Sequence, residues 1–205
     1  MSVRAHVGLG SNVGDRLAIL RSAIAAIDAI EDVVVVLASG IYETPPWGGV
    51  EQDPFYNAVV AVDADLTADE LLAELQLIEV VHGRDRDAEQ RWGPRTLDLD
   101  LLTYGNQVLV TDDLVVPHPR LRERAFVLVP LMEVWPGGTL PDGTRLTRAA
   151  MDLAGQDGTG LAGIDLVLRL TDGPGVGGIA RPAGPRAPAA IPADEWHVEH
   201  RADTP

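Results

Sequence analysis

Apolar and polar positions change period several times along the chain, and each change marks an element. Residues 3–10 form a short, mostly apolar stretch that ends in Gly8-Leu9-Gly10. Ser11-Asn12-Val13-Gly14-Asp15 interrupts it, and Asp15 is a suitable N-cap. Leu17, Leu20, Ile24 and Ile27 then recur at helical spacing, one face of a helix reaching about Ile30. Val33 to Tyr42 is apolar and β-branched, which predicts a strand. Thr44-Pro45-Pro46-Trp47-Gly48-Gly49 reads as a loop. Phe55 to Val62 predicts a second strand. Thr67-Ala68-Asp69-Glu70 is a capping box, opening a helix that runs to about Val81 and stops at Gly83.

Residues 84–95 carry charge, Gly93 and Pro94, and read as a mobile loop. Leu97 to Tyr104 predicts a strand. Gly105-Asn106 predicts a hairpin turn into a short strand over Val108 to Val110. Val116-Pro117-His118-Pro119 leads to a helical stretch from about Arg120 to Val134. The order β-α-β-β-α-β matches the ferredoxin-like split βαβ arrangement. The fold class expected is therefore α+β: a ferredoxin-like βαββαβ core, an antiparallel sheet with helices packed on it, plus an added hairpin strand and a C-terminal helix.

After about Ala150 the composition shifts to glycine and proline. Two regions are expected: a folded unit over 1–150 and an extension over 151–205. In the extension only Asp165 to Leu170 alternates as a strand would. From Thr171 onward the segment has too few large apolar residues to offset its chain entropy, which predicts disorder.

The net charge is −15. Such a chain repels nucleic acid at long range, so a general nucleic-acid binder is not expected. A small anionic substrate stays compatible, because charges are screened beyond about 8 Å in physiological salt. The chain holds no cysteine, which excludes disulfides, thiolate metal sites and cysteine nucleophiles. It also holds no lysine: its 16 basic residues are all arginine. Any phosphate chemistry must therefore use arginine, backbone amides and metal. No secretory signal or run of 18 apolar residues is visible, so a cytoplasmic protein without a membrane span is expected.

Leu97-Asp98-Leu99-Asp100-Leu101 carries the sharpest chemical signal. Strand side chains alternate, so Asp98 and Asp100 share one face. Two carboxylates there repel unless a cation joins them, and hard oxygen donors suit Mg²⁺ with substrate phosphates. A solvent-exposed strand face is the plainer alternative. Arg84, Arg86, Arg91 and Arg95 lie just upstream, and arginine forks bind phosphate bidentately. The alternative for them is a solvated charge run, since Asp85, Asp87 and Glu89 alternate with them.

The run from Arg91 to Leu102, RWGPRTLDLDLL, closely resembles the signature of the 6-hydroxymethyl-7,8-dihydropterin pyrophosphokinase family. Similar pieces occur in order: Gly8 to Asn12, Tyr42 to Pro46, Asn57 to Val59, Ile78-Glu79 with Gly83-Arg84, Val116 to Pro119, and Arg124 to Phe126. The resemblance covers about residues 3–150. It implies transfer of the diphosphate of ATP to the hydroxymethyl group of the dihydropterin, with release of AMP, in folate biosynthesis. It implies two Mg²⁺ ions on Asp98 and Asp100, with Arg84 and Arg95 as further catalytic residues. Gln76, Glu79, Arg84, Arg86, Arg91, Trp92, Arg95, His118 and Arg124 match ATP-binding positions. Thr44, Pro45, Pro46, Trp47, Phe55, Asn57 and Phe126 match the pterin side. Phe55 stands where the family often has tyrosine, and the arginine loop carries one extra residue near Gln90. A monomer binding ATP and pterin is expected. The glycines at 8, 10 and 14 are expected in a tight strand-to-helix turn rather than in a dinucleotide fingerprint. Two rival functions are a noncatalytic ATP- or pterin-binding module and a metal-dependent phosphohydrolase.

Overall fold

The computed structural model describes residues 1–46, 51–84, 93–155, 165–170 and 198–199. Strand β1 (Val3–Ser11) leads to helix α1 (Arg16–Asp28), β2 (Val33–Ala38), β3 (Ile41–Thr44) and β4 (Phe55–Ala64). Helix α2 (Ala68–Val81), β5 (Asp98–Tyr104), β6 (Leu109–Val110) and β7 (Val115–Val116) follow. After a 3₁₀ turn at Leu121–Glu123 come α3 (Ala125–Val134), α4 (Leu146–Gly155), β8 (Asp165–Leu170) and β9 (Val198–Glu199).

The caps form as the sequence predicts. Asp15 accepts a hydrogen bond from the Ala18 amide, and Thr67 and Glu70 make both halves of a capping box. The sheet order is β5-β1-β4-β3-β8-β9, with β2 also on β4, and its ladders are antiparallel. With β2 and β3 counted as one interrupted strand, the inner order is the expected ferredoxin-like one.

Alternation gives this sheet two different faces. Ala5, Val7 and Leu9 of β1, Ala58, Val60 and Val62 of β4, and Leu99 and Leu101 of β5 pack under α1 and α2. On the other face Val59, Ala61 and Leu102 pack with Leu128 and Leu131 of α3 and Leu146 of α4. That second core covers only part of its face. Beyond it, pairing aligns Tyr42, Asn57, Gly10 and Asp98 in one row across β3, β4, β1 and β5. The uncovered part of the face, built on this row, is where polar groups collect.

Four details depart from expectation. Val33 to Tyr42 is two strands, broken at Ser39-Gly40. Gly8 and Gly10 lie inside β1; of the three glycines only Gly14, at φ +74°, sits in the turn. The turn at Gly105-Asn106 does not make a hairpin of β5 and β6; β6 pairs with β7 instead, as a separate two-stranded ribbon. Helix α4 crosses residue 150, and its Leu146, Ala149 and Ala150 are buried. The expected strand over 165–170 forms and pairs with β3, while 171–197 and 200–205 lie outside the described residues.

Candidate active site

The two aspartates project from β5 into a cleft floored by β1. Gly8 and Gly10 provide that floor. A methyl group on Gly10 would stand 3.0 Å from the Asn57 side-chain oxygen and 3.8 Å from Phe55. The floor is thus bare backbone because any side chain there would fill the cleft. Thr44 at the end of β3 and Pro45 after it, Phe55 and Asn57 on β4, and Phe126 on α3 form one wall. Arg95, Asp98, Asp100 and Arg124 form the other. The cleft has an apolar, aromatic half and a charged half, the composition usual for a site that takes a flat ring and an anion.

Each aspartate already has cationic partners. Asp98 accepts from Arg84 at 2.6 Å through one oxygen and from Arg95 at 2.7 Å through the other. Asp100 accepts from Arg124 at 3.1 Å, with His118 Nε2 3.9 Å away. Burial raises the Asp100 carboxyl above the ordinary carboxylate range, and repulsion from Asp98 adds to this; His118, Arg124 and Arg95 oppose the shift. Burial lowers the His118 imidazole, with Asp100 pulling the other way. The Arg120 amide lies 3.2 Å from His118 Nδ1, so in the neutral ring Nδ1 accepts and Nε2 carries the proton toward Asp100.

Arg84 reaches the site because Gly83, at φ +84°, reverses the chain at the end of α2. Its amide donates to the Glu79 carbonyl at 3.0 Å, and its guanidinium pairs with the Glu79 carboxylate. Glu79 is fully buried and also accepts from the Leu99 amide at 2.7 Å. It therefore ties α2 to β5 and holds Arg84 behind Asp98, while the cleft itself is lined by Arg95 and Arg124. Asn57 is fixed in turn, since its amide nitrogen donates to Thr44 Oγ1 at 2.7 Å. Arg124 stands 5.6 Å from the Phe126 ring, joining the two halves of the cleft.

Of the residues anticipated from the sequence, Thr44, Pro45, Phe55, Asn57, Arg95, Asp98, Asp100, Arg124 and Phe126 meet at this cleft. Arg84, Glu79 and His118 stand behind it on the aspartates' side. Gln76 is half-buried on α2 and Pro46 follows Pro45, neither lining the cleft. Trp47, Arg86, Arg91 and Trp92 lie outside the described residues.

Asn12 has a structural role that the sequence reading missed. Its side chain accepts from the Arg95 amide at 2.7 Å and donates to Gln52 at 3.0 Å and to the Asp53 carbonyl at 3.1 Å. One amide thus joins the turn after β1, the segment before β4 and the approach to β5. Its signal was its place in Ser11-Asn12 at the end of an apolar strand, where an amide has backbone to bond.

Mg²⁺ suits this donor set in chemistry: Asp98 and Asp100 give hard carboxylate oxygens on one strand face, facing a cleft that also presents arginine for phosphate. Among the described residues no cluster of three or more metal-binding side chains occurs, so substrate phosphates and water would have to complete any coordination. No described helix is long and apolar enough to cross a membrane.

A family model, 7,8-dihydro-6-hydroxymethylpterin-pyrophosphokinase, matches residues 6–136. The 2-amino-4-hydroxy-6-hydroxymethyldihydropteridine pyrophosphokinase of Methylorubrum extorquens is 49% identical over 133 residues, 65% of this chain and 83% of the relative. The enzyme of the same name from Bacillus subtilis is 47% identical over 130 residues, 63% of this chain and 77% of the relative. In fold, the chain is similar to the crystal structure of Plasmodium falciparum HPPK-DHPS A437G with SDX-DHP, with a TM-score of 0.66 at 13% identity. That likeness covers 84% of this chain and 50% of the solved one, so the chain spans about half the length of that structure. By the extent of the family match and the identity to these relatives, the chain belongs to the 7,8-dihydro-6-hydroxymethylpterin-pyrophosphokinase family.

Proposed function

We propose that this chain transfers the diphosphate of ATP to the hydroxymethyl group of 6-hydroxymethyl-7,8-dihydropterin and releases AMP. One observation carries the reading: a single cleft joins an aspartate pair, bonded to arginines, to an amide and two aromatic rings over a glycine floor. A hydrolase acting on water has no use for the second half. A binding relic has no use for two repelling carboxylates.

In this reading Phe55 and Phe126 take the faces of the pterin, and Asn57 reads its edge. Arg95 and Arg124 bind phosphate oxygens, and Arg84 adds positive charge from behind Asp98. Asp98 and Asp100 would hold two Mg²⁺ ions, which would supply charge neutralisation for the triphosphate. Arg95 and Arg124, which line the cleft and bond the aspartates, would then have phosphates as partners instead. The protein's own contribution is placement and charge, since diphosphoryl transfer asks little covalent chemistry of it. Gln76, His118 and the segment holding Arg86, Arg91 and Trp92 belong to the nucleotide side, and Pro46 and Trp47 to the pterin side. The catalytic unit covers residues 1–150 together with the rest of α4, and the remainder to 205 is an extension.

The test is product analysis with Mg²⁺, ATP and the dihydropterin. AMP formed one-for-one with a diphosphorylated pterin, and only with pterin present, is the expected result. ADP, or nucleotide release without pterin, would favour the hydrolase; binding without turnover would favour the relic.

A further inference from the structure

Strand β3 forms part of the aromatic wall, and its placement depends on an irregularity. Ala38 pairs with Val60 and Tyr42 with Asn57. Four steps along one strand thus match three along β4, so one extra residue lies between them. Such a bulge re-aims the side chains that follow it. Ser39 still bonds the sheet: its amide donates to the Val59 carbonyl at 2.9 Å, and its hydroxyl accepts from the Val59 amide at 2.9 Å. Gly40 does not follow suit. Its amide donates to a carboxylate oxygen of Glu133 at 2.7 Å. The other oxygen of Glu133 accepts from the Tyr42 hydroxyl.

Glu133 is an exposed residue on α3, yet both of its carboxylate oxygens are turned inward to the bulge. It lies seven residues beyond Phe126, about 10 Å along the helix. One carboxylate thus bolts the helix that carries Phe126 to the strand that ends in Thr44. The phase of β3 is what this bolt can set. Side chains alternate, so a one-residue slip would turn Tyr42 and Thr44 to the opposite face. Thr44 would then lose Asn57, which it holds at 2.7 Å.

We propose that Glu133, acting through Tyr42 and Gly40, is a positioning residue for the pterin half of the site. It fixes the bulge and thereby the Thr44–Asn57 pair, without touching substrate. The proposal rests on the reaction assigned above.

The test uses the full chain as wild type, Glu133→Ala, Glu133→Gln, Tyr42→Phe and the double variant of Glu133→Ala with Tyr42→Phe. Dissociation constants are measured separately for 6-hydroxymethyl-7,8-dihydropterin and for a non-hydrolysable ATP analogue, and AMP formation is followed in each protein. Glu133→Ala is expected to weaken pterin binding about three- to tenfold, the range of a modest coupling between neighbouring groups, with the ATP analogue within about twofold. Glu133→Gln, which keeps an acceptor for Gly40 and a partner for the Tyr42 hydroxyl, restores most of the loss. Tyr42→Phe acts in the same direction, less strongly, and adds nothing to Glu133→Ala. Tyr42→Phe removes a single oxygen and carries the test if Glu133→Ala does not fold. Unchanged pterin affinity in the folded variants, or equal loss for both ligands, overturns the positioning role while wild-type AMP formation stands. A wild type that forms no AMP overturns the assigned reaction, and this inference with it.

Discussion

Asp98 and Asp100 carry the same functional group on one strand face, but their surroundings differ. Asp98 bonds two guanidiniums, one of them on Arg84, whose side chain is only 7% exposed. Asp100 bonds one, beside an imidazole. Asp98→Asn and Asp100→Asn should each lower AMP formation at least about a hundredfold, since the donors for metal would be lost. Their stabilities should differ. From alternation alone both look like surface carboxylates whose loss shifts stability by less than about 0.5 kcal/mol. The structure departs from that expectation at Asp98: Asp98→Asn should destabilise by about 1–3 kcal/mol, because a nearly buried arginine loses a charged acceptor, and more than Asp100→Asn. Urea denaturation of both variants checks the order. Gly10→Ala makes a separate point. Its methyl would crowd Asn57 and Phe55, so pterin binding should weaken about tenfold or more while ATP-analogue binding holds; equal affinity for pterin would show that the floor can yield. Period-two alternation made the aspartates legible, and the signature's resemblance placed Phe55, Asn57 and Phe126. Gly10 was visible but misplaced, because glycine near Ser-Asn reads locally as a turn, and only strand pairing reveals that its bareness serves the cleft.

Elements announced by caps were legible to within a residue or two, and so were the spans of β1, β4, β5 and β8; what was not legible is where pairing breaks a strand or chooses its partner. Asp15 and Thr67 fix the starts of α1 and α2 through their own side chains. Thr67→Ala should therefore cost about 1 kcal/mol of stability and leave turnover unchanged, as thermal melting and the AMP assay would show. The break between β2 and β3 did leave a trace in Ser39-Gly40, a dipeptide that interrupts apolar runs, but the bulge itself is decided by β4 and Glu133. Helix α4 did leave a trace: Leu146, Ala149, Ala150 and Leu153 recur at helical spacing. The joint between β1 and the end of α3 was invisible from sequence. There His6 stacks on Trp135 with ring centres 4.7 Å apart and meets Thr103 Oγ1 at 2.6 Å. Burial, helped by Arg4, lowers the His6 imidazole to about 4. The folded state therefore holds fewer protons than the unfolded state between about pH 6.5 and 4. The stabilising contribution is full above 6.5 and is lost as pH falls through that window. From pH 7 to 4.5 the loss attributable to His6 should be about 2–3 kcal/mol. His6→Phe, which keeps the stack, should lower stability at pH 7 but remove that part of the pH dependence; denaturation at both pH values would contradict this if the two proteins lost stability in parallel.

The whole molecule is a sheet asked to do two things, and the extension bears on the second. One face is sealed by α1 and α2; the other is sealed by α3 and α4 along part of its length and left open at the site. Strand β3, at the open end, is only four residues long. In the core order alone it would be an edge strand, with one row of backbone groups unpaired. Strand β8 removes that edge: Ile41 pairs with Leu168, Tyr42 with Leu166 and Glu43 with Asp165. The family match ends at residue 136, so this strand comes from the part of the chain beyond it. A short edge strand opens by fraying, and pairing on both sides suppresses that opening. Proline donates no ladder hydrogen bond and is excluded from paired interior strands. The double change Leu166→Pro with Val167→Pro places a missing donor on each side of β8, so one of the two must fall on the β3 side. Amide hydrogen exchange over Ile41 to Glu43 should then accelerate about tenfold or more, while β1 and α2 keep their protection. Unchanged exchange in β3 would mean that β4 and Glu133 hold the strand unaided, and that the extension adds a strand to the sheet without steadying its site.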